Sequence, residues 1–110
     1  MAMELAFHAL AEPRRREILA VIGDGELSAG AIAARFAITR PAVSQHLAVL
    51  REAGLVSERR DGVRRLYRAR PEGAAELREW LDSFWRGALD RLRVEAEREA
   101  ATVRARPSDR

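Results

Sequence analysis

Four arginines crowd one turn signal: Arg59 and Arg60 precede Asp61-Gly62, and Arg64 and Arg65 follow it. Guanidinium groups around a hairpin tip can contact phosphates or enter a narrow minor groove. Immediately upstream, residues 39–51 sort their side chains at helical spacing. Val43, Leu47 and Leu50 recur at i, i+4 and i+7, one apolar stripe. Arg40, Pro41, Ser44, Gln45, Ala48 and Arg51 fall on the other side, with His46 close by. A helix–water surface has no need of Ser44 and Gln45 beside a small Ala48. A helix entering the major groove does, because short side chains let its backbone approach while Gln and Ser hydrogen-bond base edges. Arg40, Pro41, Ser44, Gln45, His46, Arg51, Arg59, Arg60, Arg64 and Arg65 are therefore the candidate contacts to double-stranded DNA. The bland alternatives are a helical hairpin with a solvated charged face and edge strands charged against aggregation.

Other chemistries find little here. Ser44, His46 and the neighbouring acids make no triad pattern, and no glycine-rich phosphate loop or paired-carboxylate pocket occurs, so neither an enzyme nor a cofactor is expected. The chain has no cysteine, which excludes disulfides and thiolate metal sites. Its two histidines, His8 and His46, fall on different helices, so no metal site is expected. A single tyrosine, Tyr67, is too little for single-strand binding by base stacking. A winged helix used only for protein–protein contact would not need Ser44 and Gln45 exposed beside four wing arginines, yet it stands as the alternative from another class.

Stepwise along the chain, the elements that would hold these residues follow from pattern. Leu5, Phe7, Ala9 and Leu10 mark a first helix over residues 3–10. Pro13 suits the first turn of a second, with Ile18, Leu19 and Ile22 as its apolar face and Gly23-Asp24-Gly25 as its stop. Ser28 caps a third helix, Ala29 to Phe36, and Thr39 caps the fourth. Leu55 to Arg60 reads as a strand, Asp61-Gly62 as a type I′ turn, and Val63 to Arg68 as the return strand. Glu26-Leu27 could add a third strand. After Pro71 a long helix is expected from about Glu72 to Val103, braced by the pairs Arg78–Asp82, Asp82–Arg86, Arg86–Asp90, Arg91–Glu95 and Arg93–Glu97. Residues 104–110 read as a disordered tail.

Length and charge agree with one small domain. The 110 residues, 47% of them hydrophobic, suffice for a single core that dimerisation would supplement. The net charge is +3, but residues 51–70 hold seven arginines against three acids, a balance of +4 that leaves −1 for the rest. A basic patch on a nearly neutral body is what phosphate binding requires. No stretch is apolar enough for a membrane span and the N-terminus lacks a secretory pattern, so a cytoplasmic protein is expected. Every basic side chain is arginine, and Ala and Arg are abundant, as in GC-rich bacterial genomes. On the last helix Leu77, Leu81, Phe84 and Ala88 make one apolar line and Trp85, Leu89 and Leu92 another, with Trp80 beside them. Two lines suggest two partners, the domain's own core and a second subunit. Leu5, Leu77, Trp80, Leu81, Phe84, Trp85, Ala88 and Leu92 are the candidate dimer residues, and Ser83 and Gly87 would permit close helix approach.

Three segments together carry a family resemblance. Residues 7–19, FHALAEPRRREIL, are similar to the opening of ArsR-type repressors. Residues 40–56, RPAVSQHLAVLREAGLV, look like their recognition helix and its exit into the wing. Residues 61–68, DGVRRLYR, resemble their wing. The match spans about residues 5–95 in order. It implies a mostly α, α+β fold: a winged helix–turn–helix with a two-stranded hairpin wing and a long C-terminal dimerisation helix. It further implies a homodimer, joined by the first and last helices, that represses by occupying a palindromic operator, often its own; an activator, or a MarR- or PadR-type winged helix, is the alternative. The wing match is closest at Arg64 and Arg65, which the resemblance makes the main phosphate contacts. The metal-sensing branch often has Cys-x-Cys where this chain has Ser28 and Gly30. Residues 80–85, WLDSFW, look like a metal-independent subgroup whose inducer the resemblance does not identify.

Overall fold

The structure, a computed structural model, describes residues 2–105. The elements run α1 (Ala2–Ala11), α2 (Pro13–Ile22), β1 (Glu26–Ser28), α3 (Ala29–Phe36), α4 (Arg40–Glu52), β2 (Val56–Asp61), β3 (Arg64–Ala69), a 3-10 turn (Pro71–Ala74) and α5 (Ala75–Ala105). The chain divides into two compact units, residues 1–77 and 78–110. Among the described residues no helix is long and apolar enough to cross a membrane.

In the first unit, α1 ends where arginines from α2 reach back to it. Arg15 Nε donates to the Ala9 carbonyl at 2.7 Å and Arg16 Nη1 to that of Leu10 at 2.6 Å. Carbonyls at a helix C-terminus lack intrahelical donors and carry partial negative charge, so guanidinium groups satisfy both needs. Glu12 caps α2 by accepting from Arg14 N at 3.0 Å. The Glu12-Pro13-Arg14-Arg15-Arg16 run is thus a joint between two helices.

The helix–turn–helix has the expected caps. Ser28 Oγ accepts from Ala31 N at 3.2 Å, and Thr39 Oγ1 from Ala42 N at 3.2 Å. Between α3 and α4 the chain turns at Ala37, whose φ of 53° lies in the left-handed region that costs a residue with a Cβ about 1–2 kcal/mol. The end of α4 is a Schellman motif: Leu55 N–H reaches Leu50 O at 2.9 Å, Gly54 N–H reaches Arg51 O at 3.0 Å, and Gly54 has φ +75°. Leu50 and Leu55, the hydrophobic pair of that motif, are both buried. The core gathers Ile18, Ile22, Ile32, Val43, Leu47, Leu50, Val56, Tyr67 and Leu77, so the stripe read along α4 is the packing face.

Three antiparallel strands form the sheet in the order β1-β3-β2. Glu26–Ser28 does add the third strand. The hairpin departs from expectation by one residue. Asp61 pairs with Arg64, so the loop is Gly62-Val63 rather than Asp61-Gly62. Gly62 has φ +67° while Val63 is not among the positive-φ residues. Glycine at the first central position with only that residue at positive φ is the type II′ pattern, which has the twist that strands need, as the type I′ pattern does. The strands accordingly begin and end one residue later than the sequence suggested.

The long helix also starts later, after the 3-10 turn, and runs through Ala105 rather than stopping near Val103. The rest of the expected tail, residues 106–110, lies outside the described residues. Of the five ion pairs expected along α5 only Arg93–Glu97 forms, at 3.7 Å; Arg93–Asp90 and Arg98–Glu95 form instead, at 3.9 Å each. All are well exposed, where such pairs contribute little and side-chain entropy chooses freely among partners.

Candidate nucleic-acid interface

Burial divides α4 as its sequence does. Val43, Leu47 and Leu50 are inside; Arg40, Pro41, Ser44, Gln45, Ala48 and Arg51 are exposed. Ser44 and Gln45 are adjacent at the middle of the exposed face, and Ala48, one turn beyond Ser44, leaves room for close approach. Arg40 stands at the positive end of the helix dipole, with no acid in the first turn to offset it. Among the described residues it has neither an ion pair nor a hydrogen bond. Cations are disfavoured at a helix N-terminus, so an unpaired arginine there adds to a local positive potential suited to phosphate.

His46 does not share that face. It is half-buried, and its Nδ1 lies 3.4 Å from Arg15 Nη1. Arginine can only donate, so this contact uses the unprotonated Nδ1. The sequence reading put His46 with the DNA contacts. In the structure the ring lies against Arg15 of the α1–α2 joint, because position 46 sits between the buried stripe and the exposed face.

Strand pairing sorts the wing arginines. Arg60 pairs with Arg65 on the sheet face that also carries Tyr67 and Val56; Arg59 and Arg64 share the opposite face with Leu66. The first face borders α4. A cleft of about 250 Å³ is lined by Ala29, Arg40, Ser44, Val63, Arg65 and Tyr67. A neighbouring one of about 190 Å³ is lined by Ser44, Leu47, Ala48, Arg51, Glu58, Arg65 and Tyr67. Arg65 therefore stands beside the exposed face of α4. Arg64 starts from the opposite sheet face, yet with Arg65, Arg40, Val63 and residues of the start of α3 it lines a further cleft of about 490 Å³.

Arg59 is engaged elsewhere. Its Nε and Nη2 donate to the two carboxylate oxygens of Glu26 at 2.6 and 2.8 Å, a bidentate clamp from β2 to β1 across β3. That bond is the main cause that holds the Glu26 carboxyl below its ordinary range and raises the Arg59 guanidinium. Arg64 Nη2 reaches Asp61 at 3.3 Å across the turn. Arg60 has no partner among the described residues. Val63, at the wing tip, is 102% exposed.

Sequence reading missed one acid. Glu58 Oε2 accepts from Arg51 Nη1 at 3.0 Å and Oε1 lies 3.8 Å from Arg65 Nε, so one carboxylate joins the end of α4 to the wing. Glu58 also faces Tyr67 across the ladder. Burial first, and then the charge of Glu58, push the Tyr67 hydroxyl pKa up. The i, i+7 spacing of Arg51 and Glu58 gave no hint, because it spans a helix end, a turn and a strand.

Leu77 was counted with the dimer residues, but it is only 7% exposed and joins the core of the first unit. Trp80, Leu81, Phe84, Trp85, Leu89 and Leu92 are exposed on α5, as is Leu5 on α1; Ala88 is half-buried. The Trp80 and Phe84 rings stack with centroids 5.4 Å apart, and Phe84 meets Trp85 edge-on at 5.5 Å. Nothing but the Arg91 guanidinium would approach a Cβ at Gly87, at 3.6 Å. Among the described residues no three His, Asp or Glu gather as metal ligands.

The chain is similar to known proteins in sequence and fold. Residues 10–59 match a helix–turn–helix domain family. The HTH-type transcriptional regulator Rv2034 of Mycobacterium tuberculosis is 48% identical over 84 residues, which cover 76% of this chain and 78% of that protein. The transcriptional repressor SdpR of Bacillus subtilis is 40% identical over 60 residues, 54% of this chain and 67% of the other. The homodimeric winged helix–turn–helix DNA-binding domain Mb0332 of Mycobacterium bovis, described as a possible ArsR-family transcriptional regulator, superposes with a TM-score of 0.63. It is 32% identical, over 76% of this chain and 77% of that one.

Proposed function

This chain belongs to the ArsR family of winged helix–turn–helix transcriptional regulators, and we propose that it is a homodimeric repressor that occupies a palindromic operator. One observation carries the reading: the exposed face of α4, with Ser44 and Gln45 at its middle, borders a cleft completed by Arg40 and the wing residue Arg65. In this reading Ser44 and Gln45 select bases in the major groove, while Arg40, Arg51, Arg60 and Arg65 hold phosphates. Pro41, beside Arg40, begins the helix without needing a donor. Repression follows the sense of the SdpR name, and the dimer follows the exposed apolar side chains of α5 and the homodimeric Mb0332 domain. The protein acts in the cytoplasm without metal control.

Selection of bound duplexes from a randomised pool tests this. The expected product is a palindrome with half-sites one helical turn apart, or a multiple of it. Gln45→Ala should weaken the selected complex by about 1–3 kcal/mol and relax one symmetric position per half-site. A pool that yields no enriched motif overturns the reading, and a Gln45→Ala motif identical to wild type removes Gln45 as a reader.

A further inference from the structure

An acid in the cleft beside the exposed face of α4 needs an explanation. The Glu58 side chain is 15% exposed and lines the cleft with Ser44, Ala48, Arg51 and Arg65. Its charge repels phosphate and offsets two of the arginines that would attract it. For non-specific affinity the position is a handicap, since such binding comes from phosphate neutralisation alone. What the carboxylate provides instead is geometry. Arg51 lies on the last turn of α4 and Arg65 on β3, and both are long, rotatable side chains. Glu58 pairs with Arg65 at Nε, 3.8 Å away, which leaves both terminal nitrogens without a partner among the described residues, and it accepts from Arg51 Nη1, which leaves Nη2 and Nε.

We propose that Glu58 is a positioning residue that sets discrimination between operator and bulk DNA, by holding Arg51 and Arg65 on one carboxylate at a fixed relation to the reading face of α4. The inference rests on the DNA-binding reading above. On an operator, where Ser44 and Gln45 fix the register, the two guanidinium groups already point to their phosphates. On other sequences the register is not fixed, and arginines held by Glu58 cannot follow the backbone as free ones would. Glu58 thus lowers non-specific affinity more than specific affinity.

The test measures binding of wild type, Glu58→Gln, Glu58→Asp and Glu52→Gln to two duplexes across a salt series. One duplex is the palindrome selected on the wild-type protein, the other a scrambled duplex of the same composition. Glu58→Gln keeps the shape and removes the charge. It is expected to bind the scrambled duplex more tightly, with a salt slope steeper by about 0.9 for each new phosphate contact. The ratio of the two affinities should fall by about tenfold, the size of one lost base contact. Glu52, an exposed acid on the same turn of α4 as Arg51, has no partner among the described residues, so Glu52→Gln should leave the ratio unchanged. Glu58→Asp keeps the charge but withdraws it by one methylene. It should lose discrimination without the steeper slope, and it decides the matter if the melting curve shows Glu58→Gln unfolded. An unchanged ratio, or equal weakening on both duplexes, makes Glu58 a purely structural brace and overturns the proposal. Equal falls in the ratio for Glu52→Gln and Glu58→Gln also overturn it, since charge alone would then suffice. Wild-type protein that binds neither duplex overturns the DNA reading and this inference with it.

Discussion

Individual side chains around the wing divide by what already holds them. Arg65 borders the clefts beside Ser44, whereas Arg64 bonds Asp61 and lines only the cleft nearer the start of α3. Arg65→Ala should lower the slope of log K against log salt by about 0.9 per phosphate contact, with two contacts at stake in a dimer. Arg64→Ala should change it less; equal losses would show that the wing binds with both faces. Glu26 and Arg59 act within the fold. Their bond holds the Glu26 carboxyl below its ordinary value of 4.5. A carboxylate with a depressed folded-state pKa contributes stability that is full above the unfolded value and is lost as pH falls through the folded one. The melting-temperature advantage of wild type over Glu26→Gln should therefore hold at neutral pH and shrink as pH drops below 4.5. A difference that stays constant down to full protonation would mean that the ion pair is not its source.

At the scale of elements, the joint between α4 and the 3-10 turn is the least tolerant. Gly54 has φ +75° and its carbonyl would lie 1.8 Å from a Cβ placed on Gly73. Arg70 Nη1 donates to the same carbonyl at 3.2 Å, and Arg70 N to Leu55 O at 2.8 Å. Two backbones meet without a side chain between them, and the Schellman motif that ends α4 depends on one of them. Gly73→Ala should destabilise the protein by about 3 kcal/mol in denaturant unfolding, at the upper end of overpacking effects, because the clash is with backbone. Little or no loss would mean that the 3-10 turn moves freely away from α4. A glycine such as Gly54, just past the last turn of a helix, is a local stop signal. Gly73 carries no such signal, since a close approach between residues nineteen apart in sequence leaves no local pattern.

For the whole molecule the exposed aromatic side chains of α5 bear on assembly. Trp85 is 58% exposed and Phe84 47%, and single chains rarely present such a row of large apolar residues. In the proposed dimer they are covered. Phe84→Glu would then bury a charge without a partner, and light scattering should show a monomer with weakened operator binding. A dimer that persists would move the interface away from Phe84. Leu77 is the wrong probe for this, because its loss would damage the core of the first unit.

Sequence alone determined the order of elements, the caps Ser28 and Thr39, the division of α4 into buried and exposed faces, and through three matched segments the family. These are local properties: periodicity, capping chemistry and turn residues act over a few positions, and each is written in consecutive residues. Tertiary structure decided the rest. The hairpin loop is Gly62-Val63 because the ladder pairs Asp61 with Arg64, an outcome that the Asp-Gly signal alone did not decide. That one-residue shift keeps Arg60 and Arg65 on one face and Arg59 and Arg64 on the other, but makes Arg60 and Arg65 direct partners across the ladder. His46 turned to Arg15, Arg59 to Glu26 and Glu58 to Arg51 and Arg65 because charged and polar side chains take whichever partner the packed backbone brings within about 3–4 Å. Such pairings span 7 to 33 residues here, and no spacing rule along a chain encodes them.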